Sequence, residues 1–190
     1  GKFNELLLKL VRHPIFAEAW GIPTEDNSPE LDKNTLYKKM EDAELVLRFF
    51  SLRNVDNFQR GMEGFLDMYM MRSLKFDEDE IDYLESIFLK TITIAHLIYG
   101  EHLFKPFDHK TQTWSNKTYK AYYDAIMVGF SRHLPNEKKI IALKDRIIEE
   151  TKNIFKKPES RLLTGGGKTK AEIQERIGIF DEMLSQVIGE

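Results

Sequence analysis

Cysteine is absent from the chain, so disulfides and thiolate metal sites are excluded, and the composition is compatible with a reducing compartment. Long apolar runs are missing too: no stretch approaches the roughly 18 uninterrupted apolar residues of a membrane span. The amino end, "GKFNELLLKLVRH", lacks the small-residue cleavage site of a signal peptide. Together these features predict a soluble, cytoplasmic protein with no membrane partner. Positive charge is not in excess either, because 28 Lys and Arg face 31 Asp and Glu for a formal net charge of −3. That balance argues against a broadly basic nucleic-acid surface and leaves room only for a local one. No window alternates apolar and polar residues between hairpin turns, so no strand is expected. No serine, histidine and acid constellation stands at motif level, and nucleophilic catalysis gets no support.

What the chain does have is material for a core. Of 190 residues, 42% are hydrophobic and 12% aromatic, ample for one folded domain. In "FNELLLKLVRH", Phe3, Leu6, Leu7, Leu10 and Val11 recur at the spacing of one helix face. Pro14 opens a short second helix through Trp20, and residues 21–34, "GIPTEDNSPELDKN", concentrate turn formers and predict the longest loop. "MEDAELVLRFFSL" resumes helical spacing and sets Glu44 four residues before Arg48, the separation of an i, i+4 ion pair. The flanking Leu45, Leu47, Phe49 and Phe50 predict that this pair is buried. "GMEGFLDMYMMRSL" reads as a further helix. In "FDEDEIDYLESIFLKTITIAHLIYG", Asp77 as N-cap, Glu80 three residues on and Gly100 as terminator all agree on a long central helix. "EHLFKPFDHKTQTW" is irregular, with aromatics that anchor it. "SNKTYKAYYDAIMVGFSRHL" predicts a helix capped by Ser115 or Asn116, "NEKKIIALKDRIIEETKNIF" a single amphipathic helix, and "TKAEIQERIGIFDEMLSQVI" the last one. The expectation is an all-α domain over residues 1–190, an irregular bundle of about seven or eight helices.

Several local patterns bear on chemistry. In "RLLTGGGKTKAEI", residues 161–173, a glycine run ends in Lys168 and Thr169 as a phosphate-binding loop does. Such a loop needs a glycine where Leu162 stands and a buried strand before it, and neither is present. Thr169 to Glu172 instead forms a T-x-x-E capping box at a helix start, with the glycines as a mobile hinge. Lys168, Lys170 and Arg176, with Lys156 and Lys157, make a modest basic cluster; a solvated face is its simplest reading, and Lys168 and Lys170 are the residues that would touch a nucleic acid. His96, His102 and His109 are six and seven residues apart, too far for convergent ligands on one helix. A divalent ion held by Glu101, His102 and Asp108 is the remaining metal alternative. The stripe Met62, Met68, Met70 and Met71 predicts core packing in preference to an adaptable binding groove. The "FDEDEID" carboxylates lack the register of a calcium loop and read as helix-start charges. No catalytic residue, cofactor site or metal site is assigned.

Taken in order, "FNELLLKLVRHPIFAEAWGI", "KKMEDAELVLRFFSL", "GFLDMYM", "IYGEHLF", "NKTYKAYYDAIMVGFS" and "LLTGGGKTKAEIQERIGIF" resemble the helical carboxyl-terminal half of the GmrSD-type family. The resemblance covers nearly the whole chain and rests on order more than on any single motif. It singles out Glu44 and Arg48, the Asn116 to Asp124 helix, and the turn before Arg176-Ile177 as structural or interdomain positions. It implies a parent protein of restriction or anti-phage defence, an NTP-dependent DNA endonuclease. The amino half of that parent has a ParB-like and sulfiredoxin-like fold with an Asp-Gly-Gln-Gln-Arg motif. That motif is absent here: Gln59-Arg60 is a dipeptide echo, and His133 alone supplies no HNH nuclease. The resemblance therefore implies a non-catalytic accessory half that packs on the ParB-like half of the same polypeptide and meets DNA through it. The start at Gly1 in place of methionine accords with a fragment. The alternative is a free-standing helical interaction module, with a divalent-ion hydrolase behind it. The sequence fixes no oligomeric state, DNA modification or nucleotide.

Overall fold

A computed structural model describes residues 1–190. The fold is all-α, as the periodicity predicts, and the chain divides into two compact units, Gly1–Leu89 and Lys90–Glu190. The amino-terminal unit contains α1 (Lys2–Leu10), α2 (Pro14–Ala19), α3 (Pro29–Lys33), α4 (Thr35–Lys38), α5 (Glu41–Leu52), α6 (Gly61–Ser73) and the first part of α7 (Glu78–Tyr99). The carboxyl-terminal unit holds the rest of α7, a two-stranded hairpin of β1 (Phe107–Asp108) and β2 (Thr113–Trp114), then α8 (Lys120–Ser131), α9 (Glu137–Ala142), α10 (Lys144–Ile154) and α11 (Lys170–Gly189).

Eleven α-helices stand where seven or eight are expected. One of the additions, α3, lies inside the predicted loop 21–34, and a second, α4, follows directly behind it. Ser28 caps the Pro29 helix by accepting from Glu30 N at 3.2 Å, and Asn34 caps the next by accepting from Tyr37 N at 3.1 Å. Short capping residues thus convert turn-rich composition into single helical turns. What remains of the loop is tied down by Arg12, which donates to the Pro23 and Thr24 carbonyls and to Asp26. The third addition arises because 137–154 breaks at Leu143, whose ψ of 19° separates α9 from α10. Helix α7 begins with the predicted reciprocal cap: Glu80 N donates to Asp77 at 2.8 Å and Asp77 N to Glu80 at 3.3 Å.

In the amino-terminal unit, aromatic rings make the core. Phe3 of α1 meets Phe50, Tyr69 and Phe76 at 5.5–5.8 Å, and Phe88 meets Phe16, Phe49 and Phe50 at 5.5–6.2 Å. In the carboxyl-terminal unit, α8 is buried on every side from Ala121 to Phe130 and packs along α11. Tyr122 touches Phe155 and Phe180, and Phe104 touches Tyr123. The start of α8 corrects the sequence reading. Ser115 spends its hydroxyl on a turn, accepting from Lys117 N at 2.9 Å, so the helix begins five residues later behind Tyr119 with no side-chain cap. The hairpin is a second correction to the expectation of no strand. Asp108 accepts from Lys110 N at 2.8 Å, and Gln112 takes a positive φ of 57°, which closes the turn and pairs Phe107 with Trp114.

Candidate docking groove

The methionine stripe is not core, against the expectation. Helix α6 turns Phe65, Leu66, Tyr69 and Ser73 inward, which leaves Met62, Met68 and Met70 half-buried and Met71 71% exposed. Rings decide the orientation: Phe65 packs on Phe58 at 5.1 Å and Tyr69 on Phe3 at 5.5 Å. A buried aromatic removes more apolar surface from water than a thioether does, so the methionines take the flank. Burial also pushes the Tyr69 phenol up to about 12.

Two of the four methionines, Met62 and Met70, line a groove of about 600 Å³. Its apolar wall is Leu7 from α1, Met40 just before α5, Leu47 from α5, and Met62, Leu66 and Met70 from α6. The rim carries Glu44, Arg48, Glu63 and Asp67. Met70 also lines a neighbouring cavity of about 290 Å³ beside Leu74, which is 79% exposed. Both groove helices begin with a non-glycine residue in the left-handed region, Met40 at φ 55° before α5 and Arg60 at φ 61° before α6. Such a conformation costs about 1–2 kcal/mol. Glycine would relieve it at Met40, and the methionine side chain there is 56% exposed on the groove. Gly64 is needed below Arg60, since a Cβ would stand 2.7 Å from Arg60 Cβ.

Glu44 and Arg48 are not buried as expected. Glu44 is exposed and Arg48 half-buried, and the buried carboxylate of α5 is Asp42, which accepts from Ala43 N at 2.7 Å. Successive helix positions lie about 100° apart, so residues flanking Arg48 in sequence point elsewhere in space. Burial pushes the Asp42 carboxyl up. Arg48→Ala is accordingly expected to cost less than about 1 kcal/mol, read as a midpoint in urea. A loss of several kcal/mol would restore the buried arrangement.

The other singled-out residues lie in the carboxyl-terminal unit. Thr169 caps α11: Glu172 N donates to its hydroxyl at 3.2 Å, and Thr169 N and Oγ1 donate to the Glu172 carboxylate at 3.3 and 2.9 Å. The Thr169 hydroxyl bond and then its amide hold the Glu172 carboxyl below the usual range. A depressed carboxyl stabilises the fold above its unfolded pKa and loses that contribution as pH falls through the folded value. Independently of that shift, loss of the N-cap in Thr169→Ala should cost about 1 kcal/mol at neutral pH; an unchanged melting temperature at neutral pH would contradict the cap.

The glycine run, expected to be a mobile hinge, is bonded to its surroundings through its carbonyls. Arg176 donates to Leu162 O at 2.6 Å and to Gly167 O at 2.7 Å, and Arg161 donates to Gly166 O at 3.0 Å. A Cβ on Gly167 would stand 2.8 Å from Glu172 Cβ, so glycine is required there by close approach. Gly165 takes φ 106°. Residues Pro158–Thr164 before it form a 3-10 helix with Leu162 buried, which is no strand-and-cradle for phosphate. Arg176 is 3% exposed and leaves the basic cluster, whereas Lys156, Lys157, Lys168 and Lys170 are exposed. Asp124 is fully buried in α8.

The histidines do not converge. His96 is exposed, His102 stacks on Trp114 at 5.2 Å, and Asp108 is occupied by its turn amides. No three His, Asp or Glu side chains of residues 1–190 form a metal-holding group. His133, unremarkable in sequence, meets Asp181 at 2.7 Å alongside Arg132, a link from the end of α8 to α11. Neither this link nor the groove was readable from spacing, because each depends on which face a helix turns inward. No helix is long and apolar enough to cross a membrane.

Fold and groove together define an all-α protein with an uncovered, methionine-lined helical surface. Comparison with known protein families, curated proteins and solved structures gives no match.

Proposed function

We propose that this chain is a helical accessory half of a GmrSD-type restriction or anti-phage protein, which packs on and positions a ParB-like half that hydrolyses NTP or cuts DNA. The observation that carries the reading is the uncovered groove on α1, α5 and α6, where Met40, Met62 and Met70 lie open to a partner. Apolar patches rimmed by polar residues mark interaction sites, and methionine suits an adaptable one. The groove contains Glu44 and Arg48, positions that the family resemblance also singles out. Asp124, Thr169 and Arg176 act as fold residues in this reading. Formal charge supports a division of labour: residues 1–89 carry 11 Lys and Arg against 18 Asp and Glu, residues 90–190 carry 17 against 13. The second unit, with Lys168 and Lys170 exposed, is the side on which the parent protein would meet DNA.

The test begins with the reading frame. An upstream Asp-Gly-Gln-Gln-Arg half supports the proposal, and a native start near Phe3 favours the free-standing interaction module, which would use the same groove. The isolated chain is expected neither to hydrolyse nucleoside triphosphates nor to cut DNA. Turnover abolished by Lys168→Ala would reinstate a phosphate loop, and turnover that survives it would place a catalytic site elsewhere in the chain.

A further inference from the structure

We infer that the groove on α1, α5 and α6 takes a basic amphipathic helix, an inference that rests on the groove being a docking site. The chemistry of the rim selects the charge. Glu44, Glu63 and Asp67 are exposed, Arg48 is half-buried, and the unit carrying them has a formal charge of −7. An occupant with Lys or Arg along one edge of its apolar face meets this rim with complementary potential. A second copy of the chain would set the acidic rims against each other in a two-fold contact, and an anionic lipid or nucleic acid would be repelled.

The walls select the conformation. The unit has no sheet edge, since the hairpin of β1 and β2 lies in residues 90–190. The N–H and C=O groups along the walls are engaged within α5 and α6. A partner laid here finds no backbone ladder to join and must satisfy its own peptide groups, which an α-helix does. Apolar anchors at i, i+3 or i+4 and i+7 then reach Met40, Met62 and Met70 on one side. The unstrained choice at position 40 would be glycine. Methionine stands there at φ 55°, which places a deformable side chain at the mouth of the groove.

Three synthetic peptides of about 18 residues test this against the chain labelled with ¹³C at its methionine methyls. The first has a leucine face edged by Lys, the second the same face edged by Glu, and the third the composition of the first with its leucines scattered. The Lys-edged peptide should shift the methyls of Met40, Met62 and Met70, leave Met127 and Met183 in place, and bind at least about 10-fold tighter than the Glu-edged one. That preference should shrink at about 0.5 M salt. The scattered peptide should leave the groove methyls unmoved. Glu63→Lys with Asp67→Lys should reverse the preference, both sites being exposed and outside the core. Equal binding of the two faced peptides would overturn the charge selection while leaving the docking site standing. Groove methyls unmoved by every peptide would remove the docking site, and with it the proposed function's main support.

Discussion

Gly129→Ala lowers the stability of the chain by about 1–3 kcal/mol, although alanine is the better helix former by up to about 1 kcal/mol. A Cβ at Gly129 would stand 2.8 Å from Phe180 Cβ and 3.3 Å from the Asp181 amide nitrogen. Neither atom is the far end of a flexible side chain, so α8 and α11 must separate to admit it. That separation is resisted along the whole of α8, where Tyr122 to Phe130 are buried. Gly178 on α11 supplies the contrast: its nearest neighbour is Glu182 Oε1 at 3.9 Å, which can swing away. Gly178→Ala is expected to stabilise by about 0.5–1 kcal/mol. Urea unfolding of both variants, followed by helical circular dichroism, reads the two signs; a gain at both positions would contradict the close packing of α8 on α11.

Arg176→Met removes the clamp on the glycine run at a cost of about 3 kcal/mol, the range for charged hydrogen bonds lost from a buried site. Its guanidinium spans two carbonyls, Leu162 O through Nε and Gly167 O through Nη2. Lysine offers a point charge in place of a fork, so Arg176→Lys should recover little of the loss. Hydrogen exchange separates this from a general weakening, because amides of residues 165–168 should open before those of α8. If exchange there is unchanged, the run is held by its own turn geometry and Arg176 serves some other purpose.

The contrast between these residues shows how far local reasoning carries. Asp77 with Glu80 and Thr169 with Glu172 satisfy donors within three residues of themselves, so their caps were legible in the sequence. Arg176 finds its carbonyls nine and fourteen residues away, and "GGG" alone suggests freedom where the fold imposes closeness. The groove was hidden for a related reason. Periodicity marks both the methionines and the aromatics of α6 as apolar, and only competition for the interior, won by Phe65 and Tyr69, turns Met62 and Met70 outward. Arg48 is half-buried between buried Leu47 and Phe49, because neighbours in a helix sequence face different directions in space. Ser115, a good cap by composition, was drawn into a turn that ends before α8.

The most direct measurement, on the proposal that a ParB-like half is joined to this chain, is NTP turnover by the joined polypeptide carrying Met62→Asp with Met70→Asp, beside the unaltered joined polypeptide and the 190-residue chain alone. Both methionines are only half-buried, so the variant should stay folded, as its melting temperature will report. A positioning half that docks through this groove predicts turnover by the unaltered protein, none by the isolated chain, and a fall of about 10- to 100-fold in the variant. Undiminished turnover in a folded variant would contradict the account.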